Sequence, residues 1–133
     1  MNPLKLLYRI ADRLRYRKQG DVGRFGEDLA HRYLRSQGFT VVARNWRPPQ
    51  GGGEIDIIAW EGDWLVFVEV KTRRSGQGSA PERDIDRGKI AYVRRAARDY
   101  MRRANADQAK VRFDAIAVTG RRVEHMRDAF NPA

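Results

Sequence analysis

Apolar residues recur at helical spacing in two parts of the chain. The first part predicts a helix over residues 22 to 37, with Asp21 as its N-cap and Gly38 at its C-terminal end. The second part predicts a longer helix over residues 84 to 104. The apolar stripes are Val22, Phe25, Leu29, Tyr33 and Leu34 in the first helix, and Ile90, Val93, Ala97 and Met101 in the second.

Alternating or continuous apolar segments predict the strands of a sheet. In the second of these strands we expect Ile55, Ile57 and Ala59 to share one face, because successive side chains of a strand point to opposite sides. The predicted strands are Phe39 to Trp46, Glu54 to Trp60, Trp64 to Thr72, Val111 to Thr119 and a short last strand over Val123 to Arg127.

The connections between these elements predict how the sheet is assembled. The tight turn Glu61-Gly62-Asp63 joins the second and third strands into an antiparallel hairpin. Loops rich in glycine follow at residues 47–53 and 73–81. The long helix can return the next strand parallel to the third. We therefore predict an α/β sandwich with a mixed central sheet flanked by helices.

Residues 1–20 form a separate unit by pattern. Within residues 4 to 18, leucine and isoleucine at helical spacing alternate with arginine and lysine, which predicts a short basic amphipathic helix. Such a helix lies on a membrane, binds a phosphate backbone or packs on its own domain. We expect an N-terminal arm or helix over residues 1–20, followed by one domain over residues 21–133.

The charge of the 133-residue chain is strongly positive. Lysine and arginine number 27 against 17 acidic residues, which gives a formal charge of +10. Arginine contributes 22 of the 27 basic residues, and its planar fork of donors suits phosphate. Nucleic acid is the partner that this charge favours, ahead of an anionic membrane surface. The alternative is a surface that charge simply keeps soluble.

Composition also excludes several classes of protein. The chain has no cysteine, which excludes disulfides, cysteine-ligated zinc, iron–sulfur clusters and thiol catalysis. No apolar run approaches the roughly 20 residues that cross a bilayer. Residues 1–20 lack the apolar stretch of a secretory signal. We expect a soluble cytoplasmic protein without stable membrane insertion.

The third predicted strand is apolar until its last residues, where Glu69 and Lys71 introduce two charges. Glu69 and Lys71 are two residues apart and therefore project from the same face. The predicted hairpin pairs Asp56 with a position near 68 or 69, so Asp56 and Glu69 are expected to be neighbours. Two close carboxylates repel each other unless a cation lies between them, and Mg²⁺ is satisfied by one or two carboxylates and several waters.

Hydrolysis of a phosphodiester bond is the chemistry that these groups suit. A divalent ion lowers the pKa of bound water and stabilises charge on a phosphoryl oxygen. Lys71 would orient the attacking water or offset charge on the phosphorus. The alternative is structural, with Glu69 and Lys71 as an ion pair at the sheet edge and Asp56 as the cap of a turn.

The spacing of these residues resembles the core of the PD-(D/E)-x-K nucleases. Asp56 is followed by twelve residues and then by Glu69-Val70-Lys71, although Ile55 stands where the motif's name has proline. From about residue 23 to 130 the chain is similar to the YraN-type family of predicted endonucleases, related in fold to archaeal Holliday junction resolvases. The resemblance is carried by Gly26-Glu27, Asn45, Gly53-Glu54-Ile55-Asp56-Ile57-Ile58, Phe67-Val68-Glu69-Val70-Lys71-Thr72-Arg73 and Phe113-Asp114.

This resemblance implies a restriction-endonuclease-like fold, a divalent metal and a DNA or RNA substrate. It also implies that Glu27 is a further acid near the metal, and that the protein forms a homodimer as junction resolvases do. The residues themselves give Glu27 an equal alternative, a pair on the helix surface with Arg24 or His31. Asp114 is interpreted as a buried structural acid, with a supporting group behind the metal ligands as the alternative. His31 and His125 are interpreted as incidental because neither has zinc-ligand spacing.

The predicted function is that of a metal-dependent endonuclease acting on structured or branched nucleic acid, DNA before RNA, with Mg²⁺ or Mn²⁺ as cofactor. One alternative is a non-catalytic nucleic-acid-binding module with a nuclease fold. Another is a basic protein that docks on a membrane or a partner through residues 1–18. The predicted catalytic residues are Glu27, Asp56, Glu69 and Lys71, and the predicted metal-site residues are Asp56, Glu69 and Val70. The predicted nucleic-acid-binding residues are Arg73, Arg74, Lys89, Arg94 and Arg98, for which a solvated helix face is the alternative.

Overall fold

A computed structural model of the chain describes residues 21–73 and 87–129. The predicted N-terminal helix and the arm over residues 1–20 lie outside these residues, as do most of the loop over residues 73–81 and the predicted first residues of the long helix.

Two helices and five strands make up the described part of the chain. Helix α1 spans Asp21–Ser36 and helix α2 spans Arg87–Arg103. The strands are β1 (Thr40–Trp46), β2 (Ile55–Glu61), β3 (Trp64–Arg73), β4 (Lys110–Thr119) and β5 (Arg122–Met126).

The five strands form one mixed sheet in the order β1-β2-β3-β4-β5. Strands β3 and β4 are parallel and α2 lies between them in sequence, whereas the other neighbouring pairs are antiparallel. The predicted α/β fold class is confirmed: a mixed sheet is flanked by two helices, which is compatible with a restriction-endonuclease-like fold. No helix among residues 21–73 and 87–129 is long and apolar enough to cross a membrane.

Each face of the sheet carries its own apolar cluster. Val66 and Val68 of β3 pack with α1, where Ala30 and Leu34 are fully buried. Phe67 of β3 points the other way and packs with α2. The alternation of β3 therefore follows the pattern expected for a strand that is covered on both faces.

Helix α1 ends as its sequence predicts. Gly38 adopts a φ of 92°, which glycine reaches without steric penalty. The backbone N–H groups of Gly38 and Phe39 donate to the carbonyl groups of Arg35 and Leu34, respectively. These bonds satisfy carbonyl groups that the end of a helix otherwise leaves without a partner, so the chain turns directly into β1.

Two predictions about side-chain faces were wrong. Phe25 was placed in the apolar stripe of α1, but its side chain is 46% exposed. The helix instead turns Gly26, Ala30 and Leu34 toward the sheet. Ile55 was placed on the same face as Ile57 and Ala59, but it packs in the cluster beneath α2 while they pack beneath α1.

Strand β3 is one residue longer than predicted. Arg73 was assigned to the following loop, but it pairs with Thr119 and is buried at the end of the ladder. The long parallel partner β4 explains the difference, because it offers backbone hydrogen bonds over the whole length of β3.

Gly26 allows α1 to approach β3 closely. A Cβ atom on Gly26 would lie 2.2 Å from Thr72 Oγ1 and 3.1 Å from Thr72 Cγ2. The threonine is β-branched and its χ1 rotation is restricted, so it yields little space. The side chain of residue 26 therefore determines how close the start of α1 lies to the end of β3.

Gly26→Ala should lower the free energy of unfolding by up to about 2 kcal/mol. Overpacking of about 1–3 kcal/mol outweighs the gain of about 1 kcal/mol when alanine replaces glycine in a helix. Urea unfolding measures the change, and Thr72→Ala supplies the control. In the double variant the loss should be smaller than the sum of the two single losses, and strict additivity would contradict the contact.

Candidate active site

The hairpin between β2 and β3 fixes the register of the acidic residues. Glu61 pairs with Trp64 across a two-residue turn, and Gly62 has the positive φ of 56° that such turns require. The ladder continues to Ile57 opposite Val68. The next step along the two strands brings Asp56 level with Glu69, as the sequence predicts.

Asp56 is a buried acid that other acids surround. One of its carboxylate oxygens, Oδ2, accepts a hydrogen bond of 2.8 Å from the backbone N–H of Val70. Burial raises the pKa of Asp56 well above its ordinary range, and the charge of Glu69 raises it further. Glu27 and Glu54 add smaller contributions in the same direction, which the hydrogen bond from Val70 opposes.

The three consecutive residues at the end of β3 face different surroundings. Val70 is half-buried against the apolar cluster beneath α1. Glu69 and Lys71 point to the opposite face by strand alternation, and Lys71 is exposed while Glu69 is half-buried. The strand therefore presents an acid beside Asp56 and, two residues later, an ammonium group in contact with solvent.

Glu27 is a second buried acid of this cluster. It lies on α1 and is only 4% exposed. Asn45 Nδ2 donates to Glu27 Oε2 at 3.1 Å, and Arg44 Nη2 lies 3.6 Å from the same oxygen. The Glu27 carboxylate therefore points inward and is held by β1. Asn45 adopts a φ of 50°, a conformation that asparagine tolerates better than most residues.

Glu54 connects this cluster to a groove on the surface. Arg47 Nη2 donates to Glu54 Oε2 at 3.2 Å. The groove has a volume of about 340 Å³ and lies between the glycine-rich loop and the first half of α2. Its lining residues are Arg47, Gly51, Gly52, Gly53, Glu54, Tyr92 and Val93.

The predicted nucleic-acid-binding residues are not all on one surface. Arg73 is buried in β3, Arg94 is half-buried on α2, and Arg98 is exposed. Lys89 lies in the first turn of α2, but its side chain is outside the described set, and Arg74 lies outside the described residues altogether. Only Arg98 is therefore seen on an open surface.

A second groove, of about 470 Å³, runs along the exposed side of α2. Arg95, Arg98 and Arg102 line it together with Met101 and Asp107. Arg95 and Arg102 are not among the predicted nucleic-acid-binding residues, although their spacing to Arg98 places all three on one helix face. Arg102 Nη2 also lies 3.1 Å from Asp99 Oδ1, and this carboxylate partly offsets the positive charge that Arg102 brings to the groove.

A buried polar network lies at the other end of the α1 face, centred on Asp114. Its carboxylate accepts two hydrogen bonds from Arg112, at 2.8 and 2.9 Å. His125 Nε2 donates to it at 2.7 Å, and the backbone N–H of Asp128 donates at 3.0 Å. The hydroxyl of Tyr33 lies 3.1 Å from His125 Nδ1. Asp114 is fully buried and hydrogen-bonded, as a structural acid would be, and the interpretation of His125 as incidental was wrong.

Hydrogen bonding determines the ionisation of Asp114. Burial alone would raise its pKa, but the hydrogen bonds from His125, Arg112 and the backbone of Asp128 lower the pKa to about 2. Arg112 also forms an ion pair of 2.8 Å with Glu61, in the hairpin turn. The network therefore ties β4 and β5 to the hairpin that carries Asp56 and Glu69.

The chain can also be placed among known proteins. A family profile described as Uncharacterised protein family UPF0102 matches residues 26–118. The chain belongs to the UPF0102 family. The matched segment begins at Gly26, against the end of β3, and ends in β4, so it contains all four predicted catalytic residues.

Relatives in the UPF0102 family match nearly the whole chain. A UPF0102 protein of Solibacter usitatus (strain Ellin6076) is 55% identical over 129 residues, which cover 94% of this chain and 98% of the relative. A UPF0102 protein of Rhodococcus opacus (strain B4) is 43% identical over 82% of this chain and 95% of its own length. Another, from Desulfosudis oleivorans (strain DSM 6200 / JCM 39069 / Hxd3), is 43% identical over 82% of this chain and 89% of its own length.

Asp56→Asn should stabilise the protein at neutral and alkaline pH in metal-free buffer. Folding raises the Asp56 pKa above its ordinary 3.8, so the folded state binds this proton more tightly than the unfolded chain. The stability of the wild type therefore falls as the pH rises from about 4 through the folded-state pKa. Asparagine keeps an oxygen to accept from Val70 without the charge.

Urea unfolding across this pH range tests the expectation. The variant's advantage should be largest at about pH 8 and should shrink toward pH 4. Asp63→Asn, which neutralises an exposed acid of the hairpin turn, should change stability little at either pH. A wild type that equals or exceeds Asp56→Asn at the higher pH would show that the neighbouring acids do not penalise the carboxylate.

Asp114→Asn should lower the free energy of unfolding by about 3 kcal/mol at neutral pH, because it removes the buried carboxylate that accepts hydrogen bonds from Arg112 and His125. The Asp114 pKa of about 2 lies below its ordinary value of 3.8. Its stabilising contribution is therefore present above about pH 4 and is lost as the pH falls toward 2. The difference from wild type should shrink in acid, and a constant difference would contradict the assigned ionisation. Asp107→Asn, at an exposed site, is the control.

Proposed function

We propose that the protein is a metal-dependent endonuclease that hydrolyses phosphodiester bonds of structured or branched nucleic acid. The observation that carries the proposal is the meeting of Asp56 and Glu69 at the end of the hairpin. Burial and, after it, the charge of Glu69 raise the pKa of Asp56, and the backbone N–H of Val70 fixes the position of its carboxylate. A purely structural role would favour a partner of opposite charge beside Asp56 rather than a second carboxylate.

The chemistry of the donor set fits Mg²⁺ or Mn²⁺. Among residues 21–73 and 87–129, no group of three or more histidine, cysteine, aspartate or glutamate side chains forms a metal cage. Mg²⁺ is usually bound by one or two carboxylates and retains several waters, so Asp56 and Glu69 are a sufficient protein contribution, with Val70 adjacent. When bound, such an ion polarises a phosphoryl oxygen and lowers the pKa of water.

The other two predicted catalytic residues have different proposed roles: Glu27 positions the cluster, and Lys71 acts on the phosphate. Glu27 is held by Asn45 near Arg44, so it acts by adding negative charge to the cluster and tying α1 to it. Lys71 is exposed beside the acids and is the group that can approach a phosphate from solvent. Its ammonium group would offset the negative charge that grows on the phosphoryl oxygens as the bond breaks.

The basic surface of α2 supports nucleic acid as the substrate class. Helix α2 covers the face of the sheet toward which Glu69 projects. On this helix, one groove is lined by Arg95, Arg98 and Arg102. A row of arginines binds successive phosphates and leaves base identity unread. We therefore assign these residues to binding of the phosphate backbone, with DNA as the first substrate to test. The cytoplasm is the proposed compartment, since a chain without cysteine fits a reducing environment.

Lys71→Ala should retain near wild-type affinity for nucleic acid and lose cleavage by about 10²–10³-fold. The arginines supply most phosphate contacts, whereas a group that acts in the transition state affects turnover. Gel-shift titration beside single-turnover cleavage on duplex, single strand, flap and four-way junction, each with Mg²⁺, Mn²⁺ or EDTA, measures both quantities.

Lys110→Ala is the matched control, since Lys110 is an exposed lysine at the far end of β4 and should not affect cleavage. Asp56→Asn and Glu69→Gln should abolish cleavage in either metal. Wild-type turnover in Lys71→Ala would refute its role. Binding without cleavage of any substrate in the panel would favour the alternative, a nucleic-acid-binding module that retains a nuclease fold.

A further inference from the structure

The groove beside Glu54 is built from rigidly packed parts. A Cβ atom on Gly53 would lie 2.6 Å from the carbonyl oxygen of Tyr92 and 3.0 Å from Ala96 Cβ. The glycine loop therefore lies directly on the backbone of α2, and no larger residue fits between them. Val93, which lines the groove with Tyr92, is 3% exposed and belongs to the apolar cluster. The floor of the groove is thus part of the core.

One wall of the groove is an aromatic ring that is open to solvent. Tyr92 is 56% exposed, although it is a large hydrophobic residue. Tyr100, two turns further along α2, instead packs edge-on against Trp46. A solvent-facing ring beside a preformed groove of about 340 Å³ offers a flat surface of the kind on which a nucleobase stacks.

The charges of the groove distinguish a base from a phosphate. The Glu54 carboxylate repels phosphate but accepts hydrogen bonds, as a carboxylate does from the amino group of a base. Arg47, paired with Glu54 at 3.2 Å, adds donors on the same rim. Glu54 directly precedes β2 and lies two residues before Asp56 in the chain, so the groove adjoins the acidic cluster.

Arginine connects this groove to the phosphate-binding surface. The Arg95 guanidinium and its Cδ lie 3.7 and 3.8 Å from where a Cβ of Gly52 would be. Arg95 also lines the second groove with Arg98 and Arg102. Arg95 and Arg102 are seven residues apart, about 10 Å along a helix. Aromatic ring, polar rim and basic row therefore follow one another along the same side of α2.

We propose that this groove binds an unpaired nucleotide next to the cleaved bond, with its base stacked on Tyr92 and its backbone directed along Arg95 and Arg98. The inference rests on the proposed nucleic-acid partner and narrows it to strands with at least one base outside a duplex. A paired base cannot enter, because its faces are covered by its neighbours and its Watson–Crick edge is occupied. Glu54 and Arg47 then form the rim that contacts the exposed edge of that base.

The test is the affinity of the full-length protein for a labelled single strand and for a duplex of the same sequence, by fluorescence anisotropy in EDTA at fixed salt. Tyr92→Ala should weaken single-strand binding about tenfold, the loss expected when one base loses its aromatic partner, and should change duplex binding less than about twofold. Tyr92→Phe should behave as wild type, since the ring is retained. Phe25→Ala, an exposed aromatic on α1, is the matched control and should change neither affinity.

Arg95→Ala separates stacking from charge. It should weaken the binding of single strand and duplex alike and reduce the dependence of affinity on salt by about one counterion. Equal effects of Tyr92→Ala on both ligands, or no effect on either, would overturn the inference. If the wild type binds neither ligand, the nucleic-acid partner fails and the inference fails with it. Discrimination through Tyr92 without cleavage of any substrate would support this subsite and contradict only the hydrolytic function.

Discussion

Strand β3 is hydrogen-bonded along both edges and packed on both faces, and the position of the candidate site depends on this. Its ten residues pair in parallel with β4, and its first five pair with β2. Val66 and Val68 can only face α1, and Phe67 can only face α2. Because strand alternation is strict, this packing also determines where Glu69 and Lys71 point. Packing of the apolar residues of β3 thus fixes the direction of its charged side chains.

The sequence predicts this part of the molecule well because the interactions are local. Asp56 and Glu69 belong to one hairpin, and a glycine in a two-residue turn fixes its register. Other features depend on contacts between distant segments. Phe25 is exposed because α1 turns the smaller Gly26 toward Thr72, a packing choice that the apolar spacing of the helix does not contain. Periodicity gives the existence of a helix more reliably than its exact rotation.

His125 shows a second limit of sequence analysis. Its partner Asp114 lies on the neighbouring strand and Tyr33 lies on α1, so no fixed spacing along the chain predicts that these residues form a network. The same holds for the groove beside Glu54, whose walls come from a loop and from α2. The sequence predicts that α2 has a basic surface. It does not predict that Arg95 lines the groove while Arg94 is half-buried, because that depends on the orientation of the helix on the sheet.

Opposite charges lie close together on this small domain. A chain of formal charge +10 keeps several of its acids in one cluster around Asp56, while arginines cover the adjoining side of α2. A polyanion is therefore attracted from a distance by the net charge and repelled at short range by the cluster. A phosphate would therefore need a cation beside it to approach Asp56 closely, a condition that the basic surface does not impose.

The two-residue turn at Gly62 and Asp63 also restricts how this chain can vary through evolution. Insertion of one residue there would shift the pairing of β3 by one step if β2 kept its place. Glu69 would then enter the apolar cluster beneath α1, and Val68 would take its position beside Asp56. Substitutions at Asp63 leave the geometry intact, and longer insertions are tolerated in loops elsewhere on the surface. In this hairpin, the number of residues is under stronger constraint than their identity.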